Sequence, residues 1–440
     1  MTRLAHLIQR VIRARTLWVA LGNAVGAGFG FVVLILLTRT LGAEGYAALA
    51  PALAVMDMGQ LLIDTLLAAG VVTVAARTLG KGDSDQADAA LKTGLILRLM
   101  GGLGFAVLFW GLAPVLAPQL SATTGDATGA TTLLRVAGIA GGLLAVQSAL
   151  IGGMQITLAF GRVATSAMFK NLLRVLVLGA VLLMGIRAPL PIALALLGAG
   201  ILALLLTTWL ARPAYITRAR YSRPLARDML SINKWMMLAS IAIISGRIDI
   251  LLLAGFSQPE QVAWYTASMQ LCIAVGVLSQ ALVTTTLPRA AQFETLPEMR
   301  GFLRGWLSRA PLALLPVLAL PFLSPWLFPA ILGQGFSGGH RVLDLLFASS
   351  MITLVVNPAL VLLFPLGSAR IFGIAALGQV LAKWAIAWLV IDTYGAVGLA
   401  AADIVTKLAV TALIFIALSR RLAGDGPVHP DVTPIPKAPA

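Results

Sequence analysis

The sequence has little of what metal, redox or nucleotide chemistry uses. In 440 residues there is one cysteine, Cys272, and there are three histidines, His6, His340 and His429. A single thiol excludes a disulfide framework and any multi-cysteine zinc or iron–sulfur site. The histidines fall in three separate segments, so no metal centre and no cofactor are expected. There is no G-x-x-x-x-G-K-[ST] phosphate loop, hence no sign of ATP hydrolysis by this chain. No Ser/His/Asp or thiolate constellation stands out either, and an enzyme is not expected. Charge is scarce: only 11% of residues are Asp, Glu, Lys or Arg, against about 25% in an average soluble domain.

Apolar surface fills the space left by the missing charge. The chain is 59% hydrophobic, with a mean hydropathy of +0.94. A soluble fold of this length could not hide so much apolar area. The composition therefore predicts an all-α polytopic membrane protein, and its 43 glycines suit close helix packing in lipid. The net charge of +15 would suggest nucleic acid in a soluble protein. Here the basic residues punctuate apolar runs and serve as topology signals, so no nucleic-acid partner is expected.

A spanning helix needs about 20 predominantly apolar residues. Twelve such runs are present, at 17–38, 46–69, 93–116, 131–151, 164–185, 190–210, 233–255, 262–286, 306–328, 342–364, 371–391 and 396–418. The first is too long for a secretory h-region, and Thr38-Arg39-Thr40 is no cleavage site. Lys and Arg divide 23 to 3 between alternate connections. That asymmetry predicts a multi-pass membrane protein with both termini cytoplasmic.

The basic connection 211–232, with Pro213 and Pro224, reads as a linker on the inner membrane face. It separates an N-terminal six-helix bundle, 1–210, from a C-terminal one, 233–421, and leaves 422–440 as a Pro- and Gly-rich disordered tail. Six spans per half make the repeats parallel, around a central cavity that opens alternately to each side. The halves also resemble each other. Leu41-Gly42-Ala43-Glu44-Gly45-Tyr46 after span one, closed by Arg77, corresponds to Pro259-Glu260-Gln261-Val262 and Trp264-Tyr265 after span seven, closed by Leu287-Pro288-Arg289.

These segments carry a family resemblance. The run Arg247-Ile248-Asp249 into Leu251-Leu252-Leu253-Ala254-Gly255, the Pro259–Tyr265 loop and Leu287-Pro288-Arg289 resemble the polysaccharide transporter (O-antigen flippase-like) family. Thr38–Tyr46 shows the matching T-R-x-L-G-x-E-x-Y pattern, and the turn Tyr394-Gly395-Ala396-Val397-Gly398 also fits. Departures are Ile63-Asp64-Thr65-Leu66 for L-D-L-G, and Ala263 for a loop glycine. The resemblance implies the multidrug/oligosaccharidyl-lipid/polysaccharide exporter fold. It also implies a flippase for an undecaprenyl-diphosphate-linked oligosaccharide, with membrane lipids, glycan polymerase and glycosyltransferase machinery as partners. A cation-coupled multidrug exporter of the same superfamily is the first alternative and a membrane glycosyltransferase or polymerase the second. A lipid II flippase is disfavoured, because that relative has two extra spans.

A charge near the bilayer centre costs on the order of 2.5–3.5 kcal/mol or more, so the intramembrane charges are the candidate site. Arg247 either faces the cavity and grips the diphosphate or locks two helices together; Asp249, about 200° further round the helix, cannot face the same way. Asp57, Gln60 and Asp64 share one face of span two and either bind a coupling ion or pair with Arg98 or Arg247. Asp403 and Lys407 are spaced to pair on span twelve. Lys383 on span eleven lacks a local acid and is a phosphate or coupling candidate. Arg174 with Asn171 on span five, and Asn23 on span one, complete the expected substrate-binding set. Arg98 and Arg135, near span ends, are expected to snorkel, and Asp344 to be hydrated. Gly22, Gly26 and Gly30 form a small-residue face on span one, and Gly94, Gly101, Gly102 and Gly104 a similar one on span three.

Overall fold

The computed structural model describes residues 2–423 apart from 81, 125, 158, 291–292, 294 and 364–368. Their side chains are described except at 2–21, 23–24, 68–69, 76, 80, 121–124, 160, 232–240, 280, 284–285, 287–289, 369–372 and 423. Among the described residues there is no strand. The helices are α1 (Thr2–Gly80), α2 (Ser84–Thr124), α3 (Ala127–Ile156), α4 (Phe160–Leu183), α5 (Pro189–Ala211), α6 (Tyr215–Arg218), α7 (Arg223–Phe256), α8 (Pro259–Ala290), α9 (Leu296–Leu307), α10 (Ala310–Leu332), α11 (His340–Val361) and α12 (Ala369–Ala423). Each of the twelve apolar runs falls largely within one of them. The expected tail lies outside the described residues beyond Ala423; Leu422 itself is buried at the end of α12.

Nine helical stretches among the described residues are long and apolar enough to cross a membrane. Two of them, at 55 and 50 residues, exceed the thickness of a bilayer several times over at about 1.5 Å per residue. Each is broken at one glycine: Gly42 in α1 (φ 69°, ψ −174°) and Gly395 in α12 (φ 50°, ψ −127°). The chain therefore turns within a single residue where the sequence predicts short connections. At Gly42 an added Cβ would meet nothing within 4 Å, so glycine is required by the left-handed backbone and not by lack of room.

The chain forms two compact units. The first is Met1–Ala267 with Ile331–Phe336; the second is Ser268–Ala330 with Ser337–Ala440. In the first unit α2 packs on α3, α4 on α1, and α5 on α3 and α4; α7 packs on α1 and α2. The basic stretch after α5 is tied down rather than loose. Lys92 donates to the Ile216 and Ala219 carbonyls, each at 2.8 Å, and the Thr93 hydroxyl accepts from the Ser222 amide at 3.1 Å. Deeper in, the buried Gln147 of α3 donates to Thr207 of α5 at 3.0 Å, and Ser166 of α4 meets the same hydroxyl at 2.8 Å. Such interhelical bonds are worth about 1 kcal/mol in a membrane.

Small residues set the closest approaches. A Cβ at Gly22 would lie 3.0 Å from Ala164, and one at Gly26 3.0 Å from the Asn171 amide, so α1 rests directly on α4; Gly30, by contrast, faces open space. On α2, a Cβ at Gly102 would lie 2.7 Å from the Gly142 carbonyl oxygen of α3, whereas Gly104 has nothing within 4 Å. In the second unit α11 and α12 pack together and α9 lies across both. α10 carries Pro316, Pro321, Pro325 and Pro329 within its length.

The glycine pair on α2 gives a controlled test. Gly102→Ala should lower stability by about 1–3 kcal/mol, because backbone must move. Gly104→Ala should be neutral or stabilising by up to about 1 kcal/mol through helix propensity. Thermal unfolding of the detergent-purified variants checks both.

Candidate functional site

In the first unit the charged residues of four helices converge. Arg247 of α7 donates from Nη2 to Asp57 Oδ2 of α1 at 2.9 Å, with side chains 13% and 28% exposed. Seven residues along α1, Asp64 sits 3.8 Å from Arg98 Nη1 of α2 and accepts from the Ser148 hydroxyl of α3. Gln60, between the two acids, also bonds Asp64. Lys170 of α4 lies within electrostatic range of Asp57, Asp64 and Arg174. Lys170 and Arg174 line a small cavity with Met56 and Leu143, of about 10 Å³, room for about one water. Asp57 and Asp64 are thus set among Arg247, Arg98 and Lys170, with Arg174 next to Lys170.

Asp249 has a separate setting. It is 1% exposed and accepts from the Tyr265 hydroxyl at 2.9 Å. The two-residue spacing from Arg247 sends the two side chains to different partners, as helix geometry requires. Tyr265 belongs to a knot of three connections. Tyr46, itself near Asp57 and Arg247, meets Phe336 edge-on at 6.2 Å. Arg39 donates to the Ile331 carbonyl at 3.0 Å and Trp264 to the Gly335 carbonyl at 3.2 Å. Tyr46, Tyr265 and Phe336 are essentially fully buried.

The second unit holds its own cluster. On α12, Asp403 and Lys407 are 2.9 Å apart, and Lys383 Nζ lies 3.9 Å from the other carboxylate oxygen. Ser349 of α11 donates to Asp403 and accepts from Lys407 at 2.6 Å. Lys383, which lacks an acid nearby in sequence, finds one across the break at Gly395.

The Asn23 side chain lies outside the described residues. Lys170, inside the 164–185 run, is a site residue that the sequence reading does not single out. Its signal was present, since it stands one turn before Arg174 and beside Asn171 in an apolar run. Two expectations about span ends are corrected. Arg98 does not snorkel: it is 5% exposed, because Asp64 offers a partner inside. Asp344 is half-buried beside Ser324, so it is not simply hydrated. Arg135 is half-buried and stacks 4.7 Å over the Trp110 ring.

Known structures share this helical fold. A multidrug resistance MATE family transporter of the MOP superfamily, in an inward-facing conformation, superposes with a TM-score of 0.76 at 15% identity over 91% of this chain and 96% of its own. The lipid II flippase MurJ, inward closed, gives 0.71 at 11% identity over 92% and 89%. A MOP superfamily transporter from Pyrococcus furiosus, described as having a binding pocket of reverse polarity, gives 0.64 at 15% over 93% and 96%. No curated protein matches the chain in sequence. The polysaccharide biosynthesis protein family matches residues 12–294, and the chain belongs to that family. It is a multi-pass membrane protein with the fold of transporters and flippases, not of an enzyme.

The Asp57–Arg247 pair is partly exposed, so its coupling should be about 1–3 kcal/mol, below that of a fully buried pair. Arg247→Gln alone should destabilise more than the double variant with Asp57→Asn, which leaves no lone charge. A double-mutant cycle read by thermal unfolding measures this.

Proposed function

We propose that the protein is a flippase that carries an undecaprenyl-diphosphate-linked oligosaccharide across a bacterial inner membrane by alternating access. The observation that carries this reading is the surplus of cations around Asp57 and Asp64. A diphosphate brings negative charge and planar-edged oxygens, and a guanidinium grips those bidentately. Arg247 would exchange the Asp57 carboxylate for the head group, with Lys170, Arg174 and Asn23 contributing charge and hydrogen bonds. A site for cationic drugs would need the opposite balance.

The 23-to-3 distribution of Lys and Arg puts both termini in the cytoplasm, and a C-terminal fluorescent-protein fusion, which matures only there, reports that orientation. The knot of 39–46, 257–265 and 331–336 then lies on the outer side and must open for release. The Lys383–Asp403–Lys407 cluster is the candidate for coupling to an ion. The basic stretch 212–223 is the surface for glycosyltransferase and glycan polymerase machinery.

Complementation of strains lacking their polysaccharide flippase tests the function. Wild type should restore surface glycan. Arg247→Ala, at equal membrane level, should lower it by about tenfold or more, the loss of one charge-assisted contact, and Arg247→Lys should retain part. Full restoration by Arg247→Ala would remove that residue from the head-group site. Failure of wild type in several such strains, with resistance to cationic drugs gained, would favour the exporter reading.

A further inference from the structure

α9 is built to lie at a surface. Leu296, Met299, Phe302 and Leu303 recur at helical spacing, and Met299 is fully buried among Ala359, Leu362, Ile414 and Leu418. Glu298 and Arg304 are exposed. Arg300 reaches from α9 to the end of α12, where its Nε donates to the Leu422 carbonyl at 2.8 Å and Nη2 donates to the same oxygen. Between α9 and the last turns of α12 runs an open groove of about 760 Å³, within the range of about 300–1,000 Å³ typical of ligand sites. Leu303, Leu307, Phe415, Ile416 and Leu422 make it apolar; Arg300 and Ser419 are its polar groups.

The charges around the groove are almost all of one sign. Arg300 and Arg304 lie on α9, and Arg420 and Arg421 close α12; Glu298 is the one acid in either segment, 296–307 or 415–423. The bonds to Leu422 use two of the five donors of the Arg300 guanidinium, which leaves others for an anion. An amphipathic helix with arginines on its polar side sits in the headgroup layer, where anionic lipids attract such residues. In the orientation proposed above, both α9 and the end of α12 lie at the inner leaflet.

We propose that this groove is a binding site for an anionic phospholipid of the inner leaflet, with one acyl chain along Leu303, Leu307, Phe415 and Ile416 and the phosphate on Arg300 and, one turn along α9, Arg304. The lipid joins α9 to α12 and completes the apolar packing of the second unit at its inner end. The site rests on the proposed orientation but not on the identity of the cargo.

The test uses the full-length protein in nanodiscs and phospholipid probes with a photoactivatable acyl chain. Phosphatidylglycerol probe should label peptides within 300–307 and 415–422 about fivefold more than the zwitterionic phosphatidylcholine probe, the difference expected for one arginine attracted to a net negative headgroup. Arg304→Gln spares the Arg300 contact to α12 and should bring the two probes level. Ser419→Trp, which fills the groove, should abolish labelling by both, with folding of each variant checked by thermal unfolding. Equal labelling of wild type by both probes, or preference unchanged in the arginine variant, would overturn the proposal. Displacement of the probe by undecaprenyl phosphate but not by unlabelled phosphatidylglycerol would also overturn it, and would assign the groove to the cargo's tail.

Discussion

A charge inside a bilayer must have a partner, and that constraint organises this protein. Four acids inside the helices are held: Asp57 by Arg247, Asp64 by Arg98 and Ser148, Asp249 by Tyr265, and Asp403 by Lys407, Lys383 and Ser349. At about 2.5–3.5 kcal/mol or more for one unpaired charge, these contacts outweigh most single packing interactions. They also decide which helices meet: the Asp57 pair brings α7 onto α1, and Asp64 brings α2 and α3 to the same face. In lipid, where apolar contact between helices gains little from the hydrophobic effect, charge pairing and small-residue contact such as Gly102 on Gly142 carry the specificity.

The same pairs suit the proposed transport. An ion pair in low dielectric can be exchanged for a better-matched ligand without leaving a bare charge at any step. In the proposed function a diphosphate would compete with the Asp57 carboxylate for Arg247. Asp57, once released, still has Lys170 within electrostatic range. The glycine breaks at Gly42 and Gly395 keep the paired helices close at one end, and the knot around Tyr46 and Phe336 adjoins the Arg247 pair directly.

Hydropathy made the helical architecture legible, because about 20 apolar residues leave few choices in a membrane. Family motifs around Arg247, Asp249 and Tyr265 pointed to the fold and to residues that do sit in partnered clusters. Local spacing revealed contacts only along one helix: Asp403 and Lys407 meet as their spacing requires. Contacts between helices were not legible. Asp57 had two arginines to choose from, and its choice of Arg247 depends on the register of α7 against α1, which no local pattern encodes. Lys383 lacked an acid until the turn at Gly395 brought Asp403 to it. Arg98 looks like a residue of a span end, because hydropathy does not distinguish a cation reaching water from one reaching a buried carboxylate.

The most direct test joins the knot to transport. A Cβ on Gly335 would stand 3.5 Å from that of Ala43, within the span of a disulfide, and the native Cys272 is buried and replaceable. The variant Ala43→Cys/Gly335→Cys in a Cys272→Ala background, reconstituted in proteoliposomes with a fluorescent undecaprenyl-diphosphate oligosaccharide, should flip cargo when reduced and stop when oxidised. Flipping at an undiminished rate by the fully cross-linked protein would contradict release through the opening of this knot, and no flipping by the reduced or unsubstituted protein would contradict the cargo itself.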